Sequence, residues 1–224
     1  MPSGELYQAI IEITTNTLLW SSMATLFSGI PAIGLAWLLV RKDFSAKAFV
    51  SSIVNLPLVL PPTAVGFLLL DLLAQDGLLG RLDLGILLSP QAVVLACAIM
   101  SFPLIVRTAR VAFESVDPGL EAMAHTLGFS PLKSFWAITV PLAMRGLVAA
   151  LILGFTRCIG EFGASVIIAG NIPGRTQTLA SAIYSAQQSG NEDLARVLLW
   201  IAVALGFIAV YATELLTRNR GGQA

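Results

Sequence analysis

Five apolar runs, 14–40, 48–74, 91–113, 142–169 and 194–216, constrain this chain more than any other feature of its sequence. Each reaches the roughly 20 residues that an α-helix needs to cross about 30 Å of hydrocarbon. A segment in hydrocarbon must satisfy its own backbone hydrogen bonds. The expected fold class is therefore an all-α membrane protein with about five transmembrane helices, forming a single transmembrane domain over 1–224. A barrel does not fit, because its strands would alternate over about 10 residues and these runs do not. Charged residues make up only 12% of the chain, about half the share usual in a soluble domain.

Where the few charges sit gives the topology. Arg41, Lys42, Lys47, Arg107, Arg110, Lys133, Arg145, Arg218 and Arg220 fall at one set of span ends. Arg81, Arg175 and Arg196 fall at the other, nine cations against three. The positive-inside rule makes the richer side cytoplasmic. The C-terminus and segment 114–141 are then expected in the cytoplasm, with the N-terminus and loop 171–193 outside. The N-terminal Leu6, Tyr7, Ile10 and Ile11 suit a short separate helix in the outer interface. That end holds Glu5 and Glu12 but no Lys or Arg, so it lacks the positive lead of a secretory signal. The formal net charge is zero, so no global field recruits nucleic acid. Cys97 and Cys158 sit inside apolar runs and read as small core residues.

Segment 114–141 is the longest polar interruption. Asp117 can cap a helix that opens on Pro118. Leu120, Met123, Ala124 and Leu127 share one face, with Glu121 and His125 off it. Gly128 can end the helix in a left-handed turn. Ser130-Pro131 can start a second helix, with Pro141 as its end or a kink. A short amphipathic helix between spans can dock into a partner's groove or lie on lipid head groups.

Three further features carry chemistry. Arg157 and Glu161 are four apart in the fourth run, which puts them on one helix face within pairing distance. Charges at that depth line a pathway or gate, or form a structural pair that fixes packing. Pro57, Pro61 and Pro62 interrupt the second run and imply a kink, serving either a cavity or packing. Asn55, Ser52 and Thr63 are the neutral donors available along such a cavity. The 171–193 loop can return into the membrane, present a docking surface or stay solvated. No nucleotide-binding loop, metalloprotease helix or nucleophile elbow is present. No cofactor is expected in this chain, and any energy must come from a partner or an ion gradient.

Glu121-Ala122-Met123-Ala124, Gly128 and Ile138-Thr139-Val140-Pro141 resemble the cytoplasmic Glu-Ala-Ala loop of ABC importer permeases. The chain departs from that pattern with Met123 for the second Ala and Val140 for Leu, and neither change removes the helix–turn–helix. The resemblance covers essentially residues 10–218. Leu56 to Pro62, Met100 to Leu104, Gly160-Glu161-Phe162-Gly163-Ala164 and Gly170 to Thr176 look like the molybdate, tungstate and sulfate branch, molybdate foremost.

The resemblance implies a permease without chemistry of its own. A second copy, a cytoplasmic dimer of ATP-binding subunits and an external substrate-binding protein would be its partners, and a tetrahedral oxyanion its cargo. Glu121, Ala122, Met123, Ala124, Leu127, Gly128 and Phe129 would form the ATPase-coupling segment. Asn55, Pro61, Thr63, Arg157 and Glu161 are the candidate pathway or gate residues. The competing expectation is a proton-driven secondary transporter with Glu161 as carrier, for which segment 121–128 has no evident use. A membrane enzyme or scaffold is a third reading, weakened by the single histidine.

Overall fold

A computed structural model describes residues 3–80 and 85–218. Arg81, Asp83 and Arg220 lie outside the described residues. Helix α1 (Ser3–Arg41) runs unbroken for 39 residues, about 58 Å at 1.5 Å per residue. The separate N-terminal helix expected from Leu6 to Ile11 is therefore the first part of α1. That length exceeds the hydrocarbon thickness of about 30 Å, so α1 projects beyond it.

The second run is two helices, α2 (Lys47–Val59) and α3 (Pro62–Leu73), bent by 113°. This corrects the expectation of one kinked span. Leu60 and Pro61 each precede a proline and adopt ψ of 143° and 136°, the extended region that a following proline ring imposes. Pro62 then opens α3 at a position where its missing N–H costs nothing.

Helix α4 (Pro90–Glu114) matches the third run. Two short helices follow, α5 (Pro118–Thr126) and α6 (Pro131–Ser134). The sequence allowed the second to end or to kink at Pro141, and it does not end there. A π-helical turn over Phe135–Thr139 joins it to α7 (Val140–Ile159). Pro141 removes one i→i−4 donor, and the Val140 N–H reaches back to the Phe135 carbonyl instead. The fourth passage thus begins at Pro131 rather than 142. It also ends early: the chain breaks at Gly160-Glu161-Phe162 before α8 (Gly163–Ala169). Helices α9 (Leu179–Gln188) and α10 (Glu192–Arg218) complete the described residues.

Buried clusters fix the helix directions. One joins Ala36 and Leu39 of α1 to Ala109 and Phe113 of α4 and to Ala143 and Leu147 of α7, with Val50 and Val54 of α2 against it. The other joins Trp20 and Ala24 of α1 to Ala92 and Ala96 of α4, Cys158 of α7, Ile168 of α8 and Val65 and Leu69 of α3. Helices α1 and α4 therefore run parallel and α7 runs against them. Because α2 meets the first cluster and α3 the second, the bent pair still carries the chain from end to end. Helix α10 starts beside Ile13 of α1 and packs along α7. The described residues hold four single helices long and apolar enough to cross a membrane, with the bent pair as a fifth candidate. Loop 171–193 is packed over Thr176 to Ala186, while Pro173 to Arg175 and Gln187 to Asp193 are exposed. The Leu179 N–H donates to Thr17 Oγ1 at 2.9 Å, and the Tyr184 ring lies 5.0 Å from that of Phe162.

Candidate functional site

Two sites emerge, one at each break in helical regularity. The first is built on α5. Asp117 caps it, its carboxylate accepting from the Gly119 N–H at 2.8 Å. At the other end the Phe129 N–H donates to the Ala124 carbonyl and the Gly128 N–H to the His125 carbonyl, both at 3.0 Å. With Gly128 at φ 85°, this is the left-handed C-terminal cap that a glycine there predicts. The His125 ring adds a bond from Nδ1 to the Phe129 carbonyl at 3.0 Å. Lys133 Nζ sits 4.2 Å over the Phe129 ring.

This capping presents an apolar face outward. Ala124 is buried, while Leu120 is 39%, Met123 64% and Leu127 77% exposed. With Phe129, Ile138 and Leu142 they line a groove of about 450 Å³ between α5 and the start of α7. Ala122 and His125 are exposed as well. Glu121 turns inward instead. Its Oε1 accepts from Arg41 Nε at 3.0 Å and from Thr139 Oγ1 at 2.7 Å. Sequence reasoning counted Arg41 only as a topology charge and gave Thr139 no role. Their contacts span 80 and 18 residues, a separation that leaves no periodic signal.

Gly128→Val tests the cap. No atom lies within 4 Å of the added Cβ, so the effect is conformational strain of about 1–2 kcal/mol. The expected result is an intact bundle with a distorted α5, read as unchanged secondary structure by circular dichroism and faster proteolysis after Lys133.

The second site is the break between α7 and α8. Arg157 Nη1 and Glu161 Oε2 are 2.7 Å apart, with the side chains 28% and 1% exposed. The pairing is as expected, but the two do not share a helix face: Glu161 lies beyond the end of α7. Its other oxygen, Oε1, accepts from the Ala164 N–H at 2.8 Å, so one carboxylate both neutralises Arg157 and caps α8. Gly160 and Gly163 flanking an acid were the available signal for this interruption.

The break in the second run meets the break in the fourth. A Cβ on Gly163 would fall 2.7 Å from Pro62 Cβ and 3.2 Å from the Thr63 nitrogen, and one on Gly66 2.9 Å from the Ala164 backbone. Pro61 and Thr63 are thereby brought to Glu161 and its neighbours, both with exposed surface. Asn55 is not. It sits two turns earlier on α2, where its Nδ2 donates to the Ser51 carbonyl at 2.6 Å.

The family profile described as the binding-protein-dependent transport system inner membrane component matches residues 28–219. The chain belongs to that family. As an inner membrane component of such a system it is a multi-pass membrane permease subunit. It is 44% identical over 204 residues to the molybdenum transport system permease protein ModB of Escherichia coli K12, covering 88% of this chain and 89% of that one. The counterpart from Haemophilus influenzae is 37% identical, covering 93% and 91%. The sulfate transport system permease protein CysT of Salmonella typhimurium is 30% identical, covering 92% and 76%. In fold the inner membrane component is similar to the MetNI methionine ABC transporter in its inward-facing form, with a TM-score of 0.73 over 98% of this chain and 99% of that one at 19% identity. A bacterial alginate ABC importer gives 0.72 over 95% and 80% at 18% identity.

Proposed function

We propose that this chain is the membrane subunit of an ATP-driven importer for a tetrahedral oxyanion, with molybdate as its cargo. The observation that carries the reading is the exposed apolar groove on α5. A chain of this family with no nucleotide-binding loop needs a motor subunit, and a capped amphipathic helix with an unburied face is a surface for one. Glu121, Ala122, Met123, Ala124, Leu127, Gly128 and Phe129 form the coupling segment, seated on a cytoplasmic dimer of ATP-binding subunits. Arg41, Lys42, Lys47, Arg107 and Arg110 cluster at the same end of the bundle, which supports a cytoplasmic position for it. The N-terminus then faces out, where an external binding protein delivers cargo. The identity of 44% to a molybdenum permease, against 30% to a sulfate permease, favours molybdate.

A dianion is not carried through hydrocarbon by one such chain. The groove of about 270 Å³ between Trp20, Phe27 and Leu95 is apolar. The path therefore forms between two copies, with Pro61, Thr63, Arg157 and Glu161 at its mid-depth breaks, where irregular backbone is tolerated only against protein or water. Asn55 is assigned to the pathway more weakly, since it is separated from the other four. The permease itself catalyses no chemical step.

The test is uptake by the reconstituted complex of permease, ATP-binding subunit and binding protein in liposomes, with molybdenum quantified by mass spectrometry. Uptake is expected to require ATP and to be competed by tungstate more than by sulfate. Accumulation driven by a proton gradient without ATP would instead make Glu161 a carrier.

A further inference from the structure

Helix α5 is joined to the bundle at very few points. Ala124 is its one buried side chain, and the face that carries Met123 and Leu127 points away from the bundle. Glu121 is the exception. Arg41 is the last residue of α1, and its Nη2 reaches Glu121 Oε1 at 2.9 Å and the Val116 carbonyl at 3.1 Å. Thr139 is fully buried in the π-helical turn that leads into α7. One carboxylate oxygen of α5 is therefore bonded to the ends of two long helices. The Arg41 and Glu121 side chains are only 12% and 19% exposed, so water competes little. Charge-assisted bonds in such surroundings are short, directional and strong.

We infer that Arg41 and Thr139 are positioning residues that pass a displacement of α5 to α1 and α7. The inference rests on the proposed reading of the chain as an ATP-driven permease. Helices α1 and α7 pack on each other and on α4, and α7 ends at the Arg157–Glu161 break. A shift delivered at Thr139 reaches that break through a single rigid helix of 20 residues. Packed elements of this kind move between discrete arrangements rather than deforming. Coupling then requires only that ATP binding favour one arrangement through contacts on α5.

The measurement is the number of ATP molecules hydrolysed per molybdate imported by the reconstituted complex. Thr139→Val keeps the volume and removes the donor. Arg41→Gln removes the charge. In both, the ATP-binding subunit is expected to co-purify at wild-type stoichiometry and to hydrolyse ATP. The ratio should rise about fivefold or more, the low end of what coupling free energies carry. Arg41→Lys, which keeps one charged donor, should restore part of the coupling. A ratio unchanged in both variants overturns the inference, and so does loss of the ATP-binding subunit from the complex, since the residues would then only shape the docking surface. Thermal unfolding of Thr139→Val controls for a purely structural role, which lowers the melting temperature and leaves the ratio alone. If the wild-type complex shows no ATP-driven uptake, the proposed function fails and the inference with it.

Discussion

Arg157→Ala is expected to lower the unfolding free energy of the permease in detergent by about 3–5 kcal/mol, the cost of leaving one member of a buried pair uncompensated. The asymmetry of the pair sets the direction. Glu161 is 1% exposed while Arg157 is 28% exposed, so the carboxylate cannot recover hydration when its partner leaves. The Ala164 N–H remains as a donor, but it does not replace a guanidinium. Glu161→Gln should cost less, about 1–2 kcal/mol, because an amide oxygen still accepts from Ala164 and Arg157 keeps its access to water. Equal losses in the two variants would show that the burial asymmetry has no energetic consequence. The double change Arg157→Met with Glu161→Gln removes both charges, and should regain most of the lost stability. That variant separates the two readings the sequence left open. It is expected to fold, assemble and fail to import molybdate; import at the wild-type rate would make the pair a packing device alone.

The long-range architecture was legible because hydrocarbon leaves few options. Runs of sufficient length had to be helices, and their number followed from their length, while the cation counts bear on orientation alone. The breaks were harder to read. Leu60-Pro61-Pro62 announced an interruption, since a residue before proline is pushed out of the helical region. Its 113° size is set by how α3 packs on α8, which no local pattern encodes. The interruption at Gly160–Phe162 went unread because apolar content reports burial in lipid rather than helical continuity, and the glycines that flank Glu161 lie inside a run already long enough for a full span. The coupling segment was the reverse case. Asp117, Pro118, Gly128 and Ser130 act through their nearest neighbours, so local chemistry foretold both caps. Glu121 was read as part of a partner-facing segment, yet its partners are Arg41 and Thr139. Nothing in the spacing of three residues on three different elements could bring them together before the fold did.

Met123→Asp and Leu127→Asp should each abolish retention of the ATP-binding subunit while leaving the permease itself folded. Both side chains are largely exposed in the single chain, 64% and 77%, so a carboxylate there is solvated and costs the isolated bundle little. In the docked state the same carboxylate would be buried without a partner at the centre of an apolar contact. Loss of a central anchor costs about 2–4 kcal/mol, or roughly 30- to 1,000-fold in affinity. Co-purification from detergent should then fail, while the melting temperature of the permease stays within a degree or two of the wild type. His125→Ala is the matched control, because that side chain lies off the apolar face and its bond to Phe129 only reinforces a cap already closed by backbone bonds. The experiment also tests the alternative that α5 lies on lipid head groups. A helix held by lipid would release its face to water when charged, and the ATP-binding subunit would remain attached through some other surface. Retention of that subunit by both aspartate variants would therefore move the docking site away from α5, and the groove between α5 and α7 would have to be read as a lipid contact.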